Sequence, residues 1–225
     1  MVDERREPVA IAIFAKAAIE GFAKTRLIPR LGARGAADLQ GRLIEQTIRA
    51  ACAYHVGPVS LWCSPSKSET VFQSLSERYA LPQFDQMEGD LGSRMHHAFS
   101  MTTATMPTLL VGTDCTILTP RHFVDCARLL RTGAEAVFIP VEDGGYILVG
   151  LRRPIPALFQ SVSWGTPEVM NETRERANAL NISLTELPPL WDIDRPEDYD
   201  RAVSCGALEI LDEGGVGDPL QGVGP

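Results

Sequence analysis

The sequence predicts an α/β fold, a mostly parallel central sheet flanked by helices, and three observations carry that reading. Residues 9–14, VAIAIF, are apolar at every position; residues 107–133, PTLLVGTDCTILTPRHFVDCARLLRTG, read as a strand, a turn and a capped helix; and strand and helix types alternate along the chain. A strand apolar on both sides must be covered on both faces, as interior strands of a parallel sheet are.

In order, VAIAIF (9–14) is the first strand. Residues 34–54 show two adjacent rows at i, i+4 spacing, Leu39, Leu43, Thr47, Ala51 and Ile44, Ile48, Cys52, which predict an amphipathic helix packed on the sheet. A strand at 58–63, a helix at 67–79, a weak strand at 83–87 and a helix at 92–103 follow. TLLVG (108–112) is a buried strand. Thr119 and Pro120 then supply an N-cap and N1, Phe123, Ala127 and Leu130 face inward, and Gly133 ends the helix. Strands are expected at 134–141 and 145–151, a helix opened by Thr166 and Pro167 running to about Leu180, and a short helix from Pro196. The organisation is a tail over 1–8, one domain over 9–205, and a flexible tail over 206–225, where six glycines occur without an apolar period.

Of 225 residues, 44% are hydrophobic and 22% charged, enough for a substantial core. The formal charge is −8; residues 1–8 contribute −1 and residues 209–225 contribute −4, which leaves about −3 for the body. Such a body is a poor general polyanion binder, so no nucleic-acid partner is expected and any phosphate must be held locally. Five scattered cysteines without a C-x-x-C pair, a charged N-terminus and the lack of an apolar run of 18 residues point to reduced thiols and a cytoplasmic location, without membrane spanning.

Three segments carry candidate chemistry. The loop after the first strand, FAKAAIEGFAKTRLIPRLG, gathers Lys16, Lys24, Arg26 and Arg30 in an otherwise acidic body. It is not a Walker A loop, because Ala18 and Ala23 stand where that motif needs glycine. In VGTDCT a buried strand delivers Asp114 to its carboxyl end, where open α/β sheets bind ligands; the same residue would also serve to cap a turn. In WDIDRPEDY, Asp192 and Asp194 sit two apart in extended chain and share a face, while Arg195 is the residue directly before Pro196, so neither carboxylate is spent as the immediate cap. Together these segments make a site for Mg²⁺ (or Mn²⁺) and a nucleotide, since magnesium takes one or two carboxylates, several waters and phosphate oxygens. Adjacent His96 and His97 point to different faces of their helix and do not chelate one ion. Cys115, beside Asp114, is disfavoured as a thiolate.

Five blocks in this order, FAKAAIEGFAKTRL, GDLGSRM (89–95), GTDCTILTP, EDGGYILVGL (142–151) and WGTPEV with WDIDRPEDY, resemble the nucleotide-diphospho-sugar transferase-like family of selenodomain-associated or arsenosugar-biosynthesis glycosyltransferase type. More distantly they are similar to molybdenum-cofactor and phospholactate nucleotidyltransferases. The resemblance spans about Val9 to Val203. It implies a GT-A, Rossmann-like domain in which Lys24 and Arg26 meet nucleotide phosphates, with Lys16 and Thr25 in the same loop, and Asp114, Asp192 and Asp194 serve a divalent metal. It also implies that Asp143, Gly144, Gly145 and Tyr146 lie near the acceptor. Gly89, Leu91 and Arg94 are expected to line the base pocket, and Trp164 either stacks on a sugar or base or anchors the following helix. Departures from the family pattern are Ala18 and Glu20 in place of loop prolines and Thr116 in place of Pro after G-T-D-C.

The expected activity is metal-dependent transfer from a nucleoside triphosphate or nucleotide-sugar to a small acceptor, with Lys24, Arg26, Asp114 and Asp143 as the catalytic set. Nucleotidyl and glycosyl transfer both remain open. The alternative is a nucleotide-binding regulatory module without turnover.

Overall fold

The computed structural model describes residues 7–208. The expected tails at 1–8 and 206–225 lie outside the described residues, apart from Glu7, Pro8 and residues 206–208.

Among the described residues seven strands form one sheet: β1 (Ala10–Lys16), β2 (Val59–Ser64), β3 (Gln83–Asp85), β4 (Thr108–Val111), β5 (Ala136–Pro140), β6 (Tyr146–Leu151) and β7 (Leu184–Glu186), in the order β3-β2-β1-β4-β6-β5-β7. All neighbouring pairs are parallel except those of β6, which runs antiparallel to both β4 and β5. The connections run outward in one direction from β1 and in the other from β4. The boundary between these two strands is therefore the switch point where the loops part and leave a crevice at the strands' carboxyl ends.

Among the described residues six α-helices cover the sheet: α1 (Ile28–Cys52), α2 (Thr70–Tyr79), α3 (Leu91–Thr102), α4 (Pro120–Arg131), α5 (Val169–Ala179) and α6 (Pro196–Ser204). The apolar run of β1 is divided as its pattern requires. Ile11, Ile13 and Ala15 face the core formed with α1, α2 and α4, and Ala12 and Phe14 face the core formed with α3 and α5. The two rows of α1 have different partners. Ile44 and Ile48 pack on the sheet, whereas Leu39 and Leu43 join Leu27, Trp191, Ile193, Tyr199 and Ala202 in a third cluster that seats α6 against α1.

Three elements depart from expectation. α1 begins at Ile28, before the expected residue 34, because a helical turn precedes a break at Gly32, whose φ of 70° is one that glycine adopts without strain. α5 begins at Val169 instead of at Thr166–Pro167: the Met170 N–H, one of its orphan first-turn donors, is satisfied by the Gly144 carbonyl at 2.8 Å, so the helix is started by a distant loop. The short edge strand β7 was not expected at all; it pairs in parallel with β5. At α4, Thr119 is the N-cap as predicted, and its N–H donates to His122 Nδ1 at 3.0 Å.

Candidate active site

The loop leaving β1 turns at Gly21 and places Lys24 in the left-handed region, φ 46° and ψ 46°, ahead of the single 3₁₀ turn Thr25–Leu27. Buried Ala23 and Leu27 anchor the loop on either side of Lys24. They drive its side chain inward, to 6% exposure, where a lone ammonium would be costly. Two acceptors answer it. Lys24 Nζ pairs with Asp114 Oδ1 at 2.8 Å and donates to the Ile193 carbonyl at 2.6 Å. Arg26 pairs with Asp194, and further along Arg30 pairs with Asp200 at 3.2 Å while its guanidinium lies 5.6 Å from the Tyr199 ring.

Asp114 follows β4, and its carbonyl accepts from Ile193 N–H at 2.8 Å. Ile193 is fully buried, as is most of Trp191, so the WDIDR segment is pinned by alternate apolar side chains; burying one such residue contributes about 1.5–3 kcal/mol. That burial offsets the repulsion of the acids it carries. Asp192 and Asp194 project on the other side, Asp194 to Arg26 and Asp192 towards Asp143 and Asp114. The Asp192 carboxyl is pushed up to about 6, mainly by burial and then by the charges of Asp143 and Asp114, with Lys24 opposing.

Asp143 opens the D-G-G-Y turn, and its Oδ1 accepts from the Gly145 N–H at 3.0 Å. Gly144 sits at φ 93°, where a Cβ would come 2.1 Å from the Pro167 carbonyl oxygen. Glu142 is held by Arg201 in a two-pronged pair at 2.7 and 3.1 Å, with the Arg201 guanidinium 4.4 Å from the Trp191 ring, so this turn is also tied to α6.

The structure therefore brings Lys24, Arg26, Asp114, Asp143, Asp192 and Asp194 to one end of the sheet. Lys16 ends β1 there with an exposed side chain, and Thr25 adjoins Lys24. Gly89, at φ 125°, precedes α3, which carries Leu91 and Arg94. Arg94 Nη1 donates to Gln86 Oε1 at 3.0 Å, and Gln86 Nε2 reaches the Trp62 carbonyl at 2.9 Å, near the carboxyl end of β2. Trp164 packs on Tyr146, with ring centroids 6.4 Å apart, and closely over Gly92, so in this conformation it anchors its loop. The Tyr146 hydroxyl, the Trp164 indole N–H and Arg94 Nε are buried without partners. The Cys115 thiol is pushed up to about 12, first by burial and only then by Asp192 and Asp114.

Sequence reasoning missed Gln40. Its side chain is buried, and Nε2 donates to the Lys16 carbonyl at 3.2 Å and to Thr113 Oγ1 at 3.3 Å, joining the ends of the β1 and β4 segments. A glutamine inside an apolar helix row was the available signal. The Glu142–Arg201 tie had none.

Among the described residues, no three His, Cys, Asp or Glu side chains form a metal cage. A Mg²⁺ site completed by phosphate oxygens needs only one or two carboxylates, and Asp114 and Asp192 fit that requirement: Asp192 is near enough to feel the charge of Asp114, which adds to burial in raising its carboxyl.

Comparison with known proteins agrees with this architecture. A family model described as "Uncharacterized protein conserved in bacteria (DUF2064)" matches residues 47–166. No curated protein matches the chain in sequence. A protein from Desulfovibrio desulfuricans described as a nucleotide-diphospho-sugar transferase superposes with TM-score 0.76 and 24% identity, over 83% of this chain and 82% of that one. The 4-diphosphocytidyl-2C-methyl-D-erythritol synthase of Anaerococcus prevotii gives 0.62 and 11%, over 92% and 100%. The glucosyl-3-phosphoglycerate synthase of Mycobacterium tuberculosis, solved with Mn²⁺, UDP and glucosyl-3-phosphoglycerate, gives 0.54 and 11%, over 93% and 82%. At these identities the likeness is one of fold, and it meets the expectation of a GT-A type, Rossmann-like α/β domain. No helix among the described residues is long and apolar enough to cross a membrane.

Proposed function

The chain belongs to the DUF2064 family, and from that premise we propose that it is a metal-dependent transferase whose donor is a nucleoside triphosphate or a nucleotide-sugar. The observation that carries this reading is Lys24, held between Asp114 and the Ile193 carbonyl, with Asp192 and Asp194 on either side of that carbonyl. A cation set among carboxylates at the switch point of a parallel sheet suits a polyphosphate bridged to the protein by a divalent ion.

Asp114 and Asp192, with Asp194, would hold Mg²⁺ or Mn²⁺, which supplies charge neutralisation to the phosphates when bound. Lys24 and Arg26, assisted by Lys16 and Thr25, bind and orient the phosphates, and Gly89, Leu91 and Arg94 line the base side. The D-G-G-Y turn and Trp164 border the acceptor. In nucleotidyl transfer, an acceptor oxygen bonds to the α-phosphorus, the bond from that phosphorus to the bridging oxygen breaks, and pyrophosphate leaves. Asp143 takes the proton when the acceptor is a hydroxyl. Catalysis is then chiefly positioning and charge stabilisation. The second acidic position near residue 193 favours this version. Glycosyl transfer, in which a nucleoside diphosphate leaves the sugar, draws support from the UDP and Mn²⁺ in the glucosyl-3-phosphoglycerate synthase of the same fold. The five cysteines, all free, suit a reducing compartment such as the cytoplasm.

A thermal-shift panel of nucleoside triphosphates and nucleotide-sugars with Mg²⁺ tests the reading. The true donor at 100 times its dissociation constant stabilises by about 2.7 kcal/mol, or about 5–10 °C for a chain this size. Release of pyrophosphate or nucleoside diphosphate, once an acceptor is found, is expected to fall about 10²–10³-fold in Asp114→Asn. Binding without turnover on any acceptor would turn the conclusion to a regulatory module, and no shift with any nucleotide would defeat both.

A further inference from the structure

The cations assigned to the donor's phosphates are already engaged. Arg26 is paired with Asp194, and Lys24 with Asp114. Both carboxylates are among the three assigned above to a divalent ion. Metal and polyphosphate thus compete with contacts inside the protein, but for opposite halves of each pair. We propose, resting on the transferase reading above, that the Arg26–Asp194 pair is an exchangeable latch: a divalent cation takes Asp194 and a polyphosphate takes Arg26, so each ligand releases the group the other needs.

Burial decides which of the two pairs exchanges. The Lys24 side chain is 6% exposed and keeps the Ile193 carbonyl as a second, uncharged acceptor, so it stays in place whichever anion it faces. Arg26 and Asp194 are 66% and 41% exposed, so solvent can reach both halves as they part. The backbone around Asp194 need not move, because its N–H is fixed to Asp198 Oδ2 at 3.1 Å and the neighbouring Ile193 is buried. Only two side chains swing. The latch withholds the binding-competent state from either ligand alone, and ligands that each favour the same open state bind with positive coupling.

An exposed pair sets the size of the effect at about two- to fivefold in affinity. Calorimetric titration of the full chain with inorganic pyrophosphate in EDTA is the first arm: Asp194→Asn is expected to bind about two- to fivefold more tightly than wild type, and its gain on adding Mg²⁺ is expected to shrink. The mirror arm titrates Mn²⁺ without phosphate and reads free Mn²⁺ by electron paramagnetic resonance. There Arg26→Gln is expected to bind the ion about two- to fivefold more tightly. Were Asp194 only a positioning group for Arg26, Asp194→Asn would weaken metal-free pyrophosphate binding. Equal or weaker binding in that variant at an unchanged melting temperature overturns the latch. So does an unchanged Mn²⁺ affinity in Arg26→Gln, which decides the matter if Asp194→Asn fails to fold. Wild type that binds magnesium pyrophosphate without these differences loses the latch and keeps the transferase reading; wild type that binds pyrophosphate under neither condition loses both.

Discussion

The two ends of the sheet use the same residue types for opposite purposes. At the amino ends of the parallel strands, Arg131 donates to the carbonyls of Glu7 and Val56 at 2.8 and 3.1 Å, and Arg152 donates to the Leu130 carbonyl at 2.7 Å. These acceptors are uncharged, and Leu130 lies in the last turn of α4, where a cation is favoured by the helix dipole. At the carboxyl ends, Lys24 and Arg26 face carboxylates brought from 90 and 168 positions away in the chain. A carbonyl can only fasten an arginine, whereas a carboxylate can be won by another cation. We read the first set of contacts as fastening and, with the latch proposed above, the second as exchanging.

Three substitutions probe that contrast, starting with the largest effect. Gly144→Ala at the exchanging end should cost about 3 kcal/mol, because the φ of 93° and the 2.1 Å approach of the Pro167 carbonyl leave no room for a methyl group. Chemical denaturation reads the loss, and the nucleotide-dependent rise in melting temperature should vanish with it, since the same turn carries Asp143. Arg131→Met at the fastening end should cost about 1–2 kcal/mol through two lost hydrogen bonds and leave the nucleotide-dependent rise untouched. A change in that rise would show that the ends are not independent.

The smallest effect concerns Asp192. Its carboxyl is raised to about 6 from 3.8, so the folded state prefers the protonated form. The stabilisation is fully present below about pH 4 and is lost as pH rises through about 6. Asp192→Asn is therefore expected to melt like wild type at pH 4 and higher at pH 7.5. After allowance for solvent screening the gain is about 1 kcal/mol or less, roughly 2–4 °C. A lower melting point at pH 7.5 would mean that Lys24 outweighs Asp143 and Asp114.

The parts of this molecule that were legible in its sequence are those fixed by local pattern. The both-faced apolar run of β1, the Thr119–Pro120 start of α4 and the alternation of the WDIDR segment each followed from side-chain period and cap chemistry. The meeting of Lys24 and Arg26 with Asp114 was expected from placing the first two segments at the strands' carboxyl ends, whereas the part of Asp192 and Asp194 came from the family resemblance. Long-range contacts were invisible. The Gly144 carbonyl that starts α5, the β5 edge that makes Leu184–Glu186 a strand, and the Arg201 that grips Glu142 are distant partners that no local window contains. Trp164 shows the same limit, since stacking and anchoring demand the same residue and only packing against Tyr146 and Gly92 distinguishes them.

The third apolar cluster, which seats Trp191, Ile193 and Tyr199 on Leu27, Leu39 and Leu43, has a consequence for biosynthesis. A ribosome that has just added Leu190 has already made every strand of the sheet, yet the seat of Lys24 does not exist until the next few residues emerge. Lys24 thus gains its second acceptor, and Arg26 its partner Asp194, only after the sheet is complete, and a message truncated at that point would yield a sheet on which Lys24 keeps Asp114 alone and Arg26 lacks that carboxylate.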